Sequence, residues 1–414
     1  MIKRFVGDNG LRIVYEPNHT VRSVAIGIWI GTGSRFETKQ ENGVSHFLEH
    51  MFFKGTKSRS AQQIAESFDS IGGHVNAFTS KEYTCYYAKV LDSHAEHAVD
   101  VLSDMYFHST FDKDELNKEK GVVLEEIKMY EDTPDDIVHD LLSRASYGDH
   151  PLGYPILGTE DTLSNFSSES LFKYMDKNYH AGNVVISICG NVDESFVKYV
   201  ENSFSQMKKG SKENTTFEKP TFNSDRIARK KDIEQAHLCI GYEGFPLHDE
   251  QIYSLVLLNN ALGGSMSSRL FQEVREKRGL AYSVFSYHSS FHDTGMLTIY
   301  AGTAQKHLDE LFDVLMNTVK QIQSDGLSEK ELTNGKEQLK GSLMLGLEST
   351  NSRMSRNGKN ELLLGKHRTL DEIVEAIDGV GSKHIQETTE QIFSKDFSLT
   401  LISPNGELPK GVTS

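Results

Sequence analysis

Residues 41–56 read ENGVSHFLEHMFFKGT, and within them His46, Phe47, Leu48, Glu49 and His50 spell H-x-x-E-H. Two histidines four apart share one face of an α-helix, about 6 Å apart along the axis. Both imidazoles can then reach a single metal ion. Glu49 follows His46 by three residues on the same side, where a carboxylate can act as a base on a water held by the metal. Asn42 is a good helix N-cap and Gly55 a good residue just past a C-terminus, so the spacing predicts a short helix holding the whole pentad. Phe47, Leu48, Met51, Phe52 and Phe53 give that helix an apolar side. A histidine is more often a surface or hydrogen-bonded residue than a ligand, so the pentad needs a third donor from elsewhere in the chain.

The chain has 414 residues, enough for two or more domains with full cores. No stretch approaches ~20 apolar residues, which speaks against a membrane-spanning helix. The opening MIKRFVGDNGLRIVYEP has no apolar run of the kind a secretory signal needs and reads as a strand and a turn. Cys85, Cys189 and Cys239 lie far apart in apolar, strand-like runs and are expected to be buried small hydrophobes. These features predict a cytoplasmic protein with no membrane contact. A net charge of −15 argues against nonspecific nucleic-acid binding. It fits either simple solubility or a negative chamber that attracts basic peptides.

Residues 206–232 are polar, charged and poor in apolar periodicity, so they read as a linker between a domain over 1–205 and another over 233–414. Both halves show the same order of elements. In the first, a β-rich run (21–34) precedes the pentad helix. Strands then lie within 72–90, helices over 93–107 and 112–132, and a closing strand within 181–192. In the second, a strand within 236–246 and a helix over 249–262 lead to strands within 279–303. Helices over 306–324 and 328–347 and a last strand within 396–404 follow. DKDELNKEK (112–120) matches SEKELTNGK (328–336) at an offset of 216 residues, which points to internal duplication. The second copy lacks H-x-x-E-H, and its comparable helix reads QIYSLVLLNNALGG. The fold class expected is α+β: two homologous domains, each a mixed or antiparallel sheet with helices packed on one side.

The helix over 112–132 carries Glu115, Glu119, Glu125, Glu126 and Glu131. Most should simply be solvated. Glu119 and Glu126 are seven apart, two turns along one face, and the sequence between them is apolar enough for one side to be buried. A buried carboxylate needs a partner, and a cation would serve. Either glutamate can therefore complete a three-ligand site with one open position.

H-x-x-E-H followed by a glutamate in VVLEEIKMYED resembles the pitrilysin/insulinase family of zinc peptidases. HFLEHMFFKGT is similar in particular to the processing-peptidase β subunits and their bacterial homologues. The resemblance spans nearly the whole chain. It implies a zinc-dependent endopeptidase with His46, His50 and Glu126 as metal ligands and Glu49 as general base on a zinc-bound water. Glu119 would orient a ligand histidine or support the base. One Zn2+ per chain is implied, with Co2+ or Mn2+ able to substitute on such permissive ligands.

The second half contains REKRGLAYSV, with Arg275 and Tyr282 seven apart around Gly279. On sequence alone these read as a surface arginine and a half-buried strand tyrosine. The family carries an Arg and a Tyr at this spacing that stabilise the developing oxyanion, and Arg278 does not match it. By the same resemblance, 74–80 (HVNAFTS) is an edge strand that pairs with a peptide substrate as an added β-strand through Asn76, Ala77 and Phe78. Asp136 and Asp140 would meet a basic substrate residue just before the cut, and Phe53 would line an apolar pocket after it. Two-domain members face a second chain, so a homodimer is expected, with Arg275 and Tyr282 supplied in trans to an enclosed chamber. The alternative is a noncatalytic structural or peptide-binding subunit of the same fold.

Overall fold

The runs SVAIGIWI and VVISICG leave almost no polar position, the pattern of strands covered on both faces. In the computed structural model, which describes residues 2–210 and 218–412, they are neighbours at the centre of a six-stranded sheet. Its strands are β1 (Lys3–Val6), β2 (Arg12–Pro17), β3 (Ser23–Ile30), β4 (His74–Thr79), β5 (Thr84–Leu91) and β6 (Val184–Gly190), in spatial order β1-β2-β6-β3-β5-β4. β2 and β6 pair in parallel and the other pairs are antiparallel. The helices that belong with it include α1 (Val44–Met51), α2 (Ala61–Asp69), α3 (Ala95–His108) and α4 (Lys113–Glu131). Ile26 and Ile28 share the larger core with Phe47, Phe52, Leu102 and Val123. The alternate residues Ala25 and Trp29 point the other way, into a smaller core with Cys85, Cys189, Met354 and Leu362.

Met354 belongs to the helix Thr350–Lys359, which comes from the second half of the sequence. Trp29 Nε1 lies 3.4 Å from Met354 Sδ. A Cβ at Gly358 would strike the Trp29 indole, so a side chain there would push the helix off the sheet. Polar contacts pin the same segment. Glu16 accepts from Arg353 at 2.6 Å and from Asn357 at 2.8 Å, while Glu361 accepts from Arg4 at 2.9 Å.

The second sheet has β7 (Arg226–Lys230), β8 (Gln235–Gly244), β9 (Ala281–Ser290), β10 (Gly295–Ala304) and β11 (Ser398–Ser403), ordered β7-β11-β8-β10-β9. β7 and β11 pair in parallel, so this sheet too is mixed. One face packs Ile240, Leu297 and Leu399 against Leu255, Leu258 and Leu311 of the second-half helices. The other packs Cys239, Met296 and Ile402 against Val138 and Leu142 of α5 (Pro134–Tyr147), a helix from the first half.

The architecture is α+β, with two mixed sheets and their helices. Each sheet has its larger helical layer on one face, and the opposite face also carries a helix taken from the other half of the chain. The compact units are therefore discontinuous. One comprises Met1–Lys128, Tyr154–Phe217 and Leu345–His367; the other comprises Met129–Gly153, Glu218–Met344 and Arg368–Ser414. A contiguous split into 1–205 and 233–414 does not describe them, because α5 and Thr350–Lys359 find their apolar partners across it. The crossing points at 128 and 344 are 216 residues apart, the offset of the internal match, so the exchange is part of the duplication. The linker expected over 206–232 contains β7; residues 211–217 lie outside the described residues. No helix among the described residues is long and apolar enough to cross a membrane.

Replacing Gly358 with alanine should lower stability by about 1–3 kcal/mol, the usual cost of overpacking a filled site. Urea unfolding followed by Trp29 fluorescence measures it, and an unchanged midpoint would contradict the docking described.

Candidate metal centre and active site

α1 is short, so its direction depends on how its ends are held. Its N-cap position is Gly43, with φ +91°, and no side chain from that residue caps the helix. The capping group is Glu37, only 2% exposed. Glu37 Oε2 accepts the Gly43 N–H at 2.7 Å and Oε1 accepts the Ser45 N–H at 2.8 Å. Asn42, expected to cap, instead donates from Nδ2 to Glu37 at 3.2 Å and to the Pro155 carbonyl at 2.9 Å. Burial pushes the Glu37 carboxyl up, against the pull of these donors. The helix ends at Met51, earlier than Gly55 suggested; Gly55, at φ +121°, lies in the turn beyond. Phe53 falls in that turn, half-buried against the first core.

His46 and His50 lie one turn apart on α1, their rings edge to face with centres separated by 4.7 Å. Glu126 reaches them from α4, with Oε2 3.7 Å from His46 Nε2 and 3.5 Å from His50 Nε2. One donor atom from each of the three residues falls within 4.8 Å of the others. Donors of a tetrahedral zinc, each about 2.0–2.1 Å from the metal, stand roughly 3.3 Å apart, so the observed spacing fits. The spacing is too long for ordinary hydrogen bonds, and Glu126 Oε2 is buried without a hydrogen-bond partner. An ionised oxygen held in this way between two imidazoles calls for a cation. Two imidazoles and one carboxylate are also a donor set of catalytic zinc, which leaves a coordination position open.

The surrounding groups set the charge of this triad. His50 Nδ1 hydrogen-bonds Glu119 Oε1 at 2.8 Å, and the other Glu119 oxygen takes Lys54 Nζ at 2.6 Å. Burial pulls the His50 imidazole down, but its bond to Glu119 and the nearby charges of Glu126 and Glu119 outweigh it and hold the ring at about 9. His46 is pushed down to about 4, first by burial and then by the charge of His50. The facing histidines, His50 foremost, keep the Glu126 carboxyl below the usual range. Glu119 is likewise lowered: burial works against this, and His50 and Lys54 overcome it. Glu119, 3% exposed, thus orients the His50 ring, whereas Glu126 faces the two imidazoles.

Glu49 accepts a hydrogen bond from Thr79 Oγ1 at 2.6 Å. Burial pushes its carboxyl up, and the Thr79 bond opposes that. Thr79 ends β4, which is the edge strand of its sheet, with Asn76, Ala77 and Phe78 along it. The Ala77 N–H donates to Asn76 Oδ1 at 2.8 Å. His74 is exposed on the same strand, away from the donor cluster of His46, His50 and Glu126.

Arg275 and Tyr282 belong to the second unit. Arg275 lies in a π-helical stretch, Phe271–Glu276, and Gly279 turns the chain at φ +61° into β9. The Arg275 guanidinium sits 4.5 Å from the centre of the Tyr282 ring, and Tyr282 is 79% exposed. Arg278 is held by Glu273 Oε2 at 2.5 Å, which leaves Arg275 as the tyrosine's companion. Asp136 and Asp140 lie on α5 and so also belong to the second unit; Asp136 is exposed and Asp140 half-buried. Asp132, in line with them in sequence, precedes the helix and bonds Lys231 Nζ at 3.3 Å. Glu37, Lys54 and the Thr79–Glu49 bond escaped the sequence reading. Only Lys54, four residues beyond His50, was close enough to the motif to be noticed.

A zinc ion held by His50 would need Nε2 free of its proton, and the ring stays protonated below about 9. Binding at pH 7.5 should therefore release a proton and tighten as pH rises toward 9. Glu119→Gln should weaken zinc binding roughly 10- to 100-fold. Chelator competition and calorimetry in buffers of different ionisation enthalpy measure both effects, and unchanged affinity in the variant would contradict the role given to Glu119.

Comparison with known proteins gives the family of the chain. Residues 12–160 match the insulinase (peptidase family M16) model, and 165–339 match the model described as the peptidase M16 inactive domain. A Bacillus subtilis protein named as an uncharacterized zinc protease, YmxG, is 62% identical over 409 residues, covering 99% of this chain and all of that protein. A Streptomyces coelicolor protein, also named as an uncharacterized zinc protease, is 40% identical and covers 97% of this chain and 90% of its own. Among solved structures, a protease from Helicobacter pylori superposes with a TM-score of 0.91 at 20% identity, covering 98% of this chain and 99% of that one. The two matched models span most of the sequence and the Bacillus relative all but its ends; the chain belongs to the insulinase family of peptidases, family M16.

Proposed function

We propose that this protein is a zinc-dependent endopeptidase that cleaves unfolded, basic or presequence-like peptides in an enclosed dimeric chamber. The observation that carries the reading is the triad: a buried, unpartnered Glu126 oxygen 3.5 and 3.7 Å from two imidazole nitrogens. His46, His50 and Glu126 would hold one zinc per chain, and Co2+ or Mn2+ could replace it. When bound, zinc supplies a Lewis acid for hydrolysis. Glu49, on the same helix face, takes a proton from the attacking water and returns it to the leaving amine. Its raised pKa suits a group that must do both near neutral pH.

The peptide would add as a strand along β4, at Asn76, Ala77 and Phe78, displacing the Asn76 carboxamide from the Ala77 N–H. Asp136 and Asp140 would attract a basic residue before the cut, and the exposed part of Phe53 would meet an apolar one after it. Arg275 and Tyr282 donate to the oxyanion from a second copy of the chain in a homodimer. Their mutual stacking and the exposure of Tyr282 support that use. The three buried free thiols are compatible with a reducing compartment, and the cytoplasm is the proposed location.

Glu49→Gln should keep zinc and bind a basic fluorogenic peptide yet turn it over at least about 1,000-fold more slowly, since both proton transfers are lost. Normal turnover would sink the mechanism. Glu49→Gln mixed with Arg275→Ala, each inactive alone, should regain about a quarter of wild-type activity after subunit exchange if the arginine acts in trans. No recovery in a verified mixed dimer would contradict that arrangement.

A further inference from the structure

The hairpin of β4 and β5 is held at its turn by neighbouring backbone and side chains. Its turn, 80–83, is clamped to the segment just after β3. The Ser34 N–H donates to the Ser80 carbonyl at 3.2 Å and the Arg35 N–H to the Lys81 carbonyl at 2.8 Å. Below them Arg35 Nη1 and Glu82 Oε1 form an ion pair at 2.6 Å, with both residues buried. Lys81 Nζ also donates to the Tyr154 carbonyl. A Cβ at Gly33 would run into the Ser80 carbonyl, so the turn sits directly on this backbone. Thr79 is the last residue of β4, immediately before the clamp, and its position is fixed from both sides.

From that position Thr79 Oγ1 donates to Glu49 Oε2 at 2.6 Å. Threonine is branched at Cβ and stiff at χ1, so the hydroxyl has few other directions to take. We propose that Thr79 is the positioning residue of the general base: it fixes the Glu49 carboxylate by one oxygen, leaves the other to receive the proton, and ties the base to the strand that would align the peptide. The inference rests on the peptidase reading of the same site. It explains how a carboxylate on one helix could keep register with a peptide bond set by a strand. Both would be referred to Thr79, and the clamped turn would keep that reference from drifting. Misplacing a reacting group by about 1 Å can cost on the order of 100-fold in rate, so one such hydrogen bond matters.

The test uses full-length Thr79→Val and Thr79→Ser, zinc-loaded, with an internally quenched basic peptide. The valine variant keeps the branch and the volume and loses the donor; serine keeps the donor and loses the methyl. Thr79→Val should lower kcat roughly 10- to 100-fold with KM within about twofold. Its zinc affinity by chelator competition should match wild type, and Thr79→Ser should recover most of kcat. A crystal structure of zinc-loaded Thr79→Val gives a readout independent of turnover: the Glu49 carboxylate should leave the rotamer it holds beside Thr79. Wild-type kcat in the valine variant, a change confined to KM, lost zinc affinity, failure of serine to rescue, or an unmoved Glu49 would each overturn the proposal. A wild-type chain that cleaves no peptide would strike the peptidase reading instead, and the Glu49 rotamer would still decide the role of Thr79.

Discussion

The Glu126 carboxylate faces two imidazole nitrogens at 3.5 and 3.7 Å through its inner oxygen, which is buried and makes no hydrogen bond. Much else in the first unit serves to hold that arrangement. His46 and His50 face one way only because α1 is helical through both, and α1 is aimed by a buried Glu37 rather than by a cap of its own. Glu126 arrives from α4, whose Leu116 and Val123 lie in the same core as Phe47 and Leu48 of α1. Two helices packed through one core thus deliver three donors to one point. Without a cation the His50 ring also carries a proton on Nε2, facing Glu126, while its Nδ1 stays bonded to Glu119, itself paired with Lys54. Metal and the Nε2 proton compete for the same nitrogen.

The reciprocal exchange of helices gives the two halves a common dependence. The Thr350–Lys359 helix covers the second face of the first sheet, and α5 covers the second face of the second sheet. A buried central strand such as β6 needs both faces covered, and neither half of the sequence supplies both for its own sheet. Each half should therefore be incomplete without the other. This gives a physical reason for both halves to stay in one chain although only the first carries H-x-x-E-H.

How much of this was legible in the sequence follows the range of each interaction. The pentad and the seven-residue step from Glu119 to Glu126 are helix periodicities, and periodicity is local. Central strands were equally plain, because an unbroken apolar run has few other uses. Caps were less so: Asn42 satisfied the local rule, yet a carboxylate five residues upstream took the helix N-terminus. The amphipathic pattern of α5 says that one side is buried and cannot say against which sheet, so the contiguous split was the natural reading and the chain does otherwise. Thr79 and Glu49 are thirty residues apart with no pattern linking them, and their hydrogen bond exists only because a hairpin turn is clamped elsewhere. The ligand set and the choice of Glu126 over Glu119 came from family resemblance. The geometry gives a reason for that choice, since Glu119 is already committed to His50 Nδ1 and Lys54.

The central claim is that His46, His50 and Glu126 form one metal site. Anomalous diffraction at the zinc edge from crystals of the zinc-loaded chain tests it most directly. One strong peak per chain is expected, within bonding distance of both Nε2 atoms and a Glu126 carboxylate oxygen. A chain that takes up no zinc at stoichiometric concentration, or a peak ligated by other residues, would contradict it.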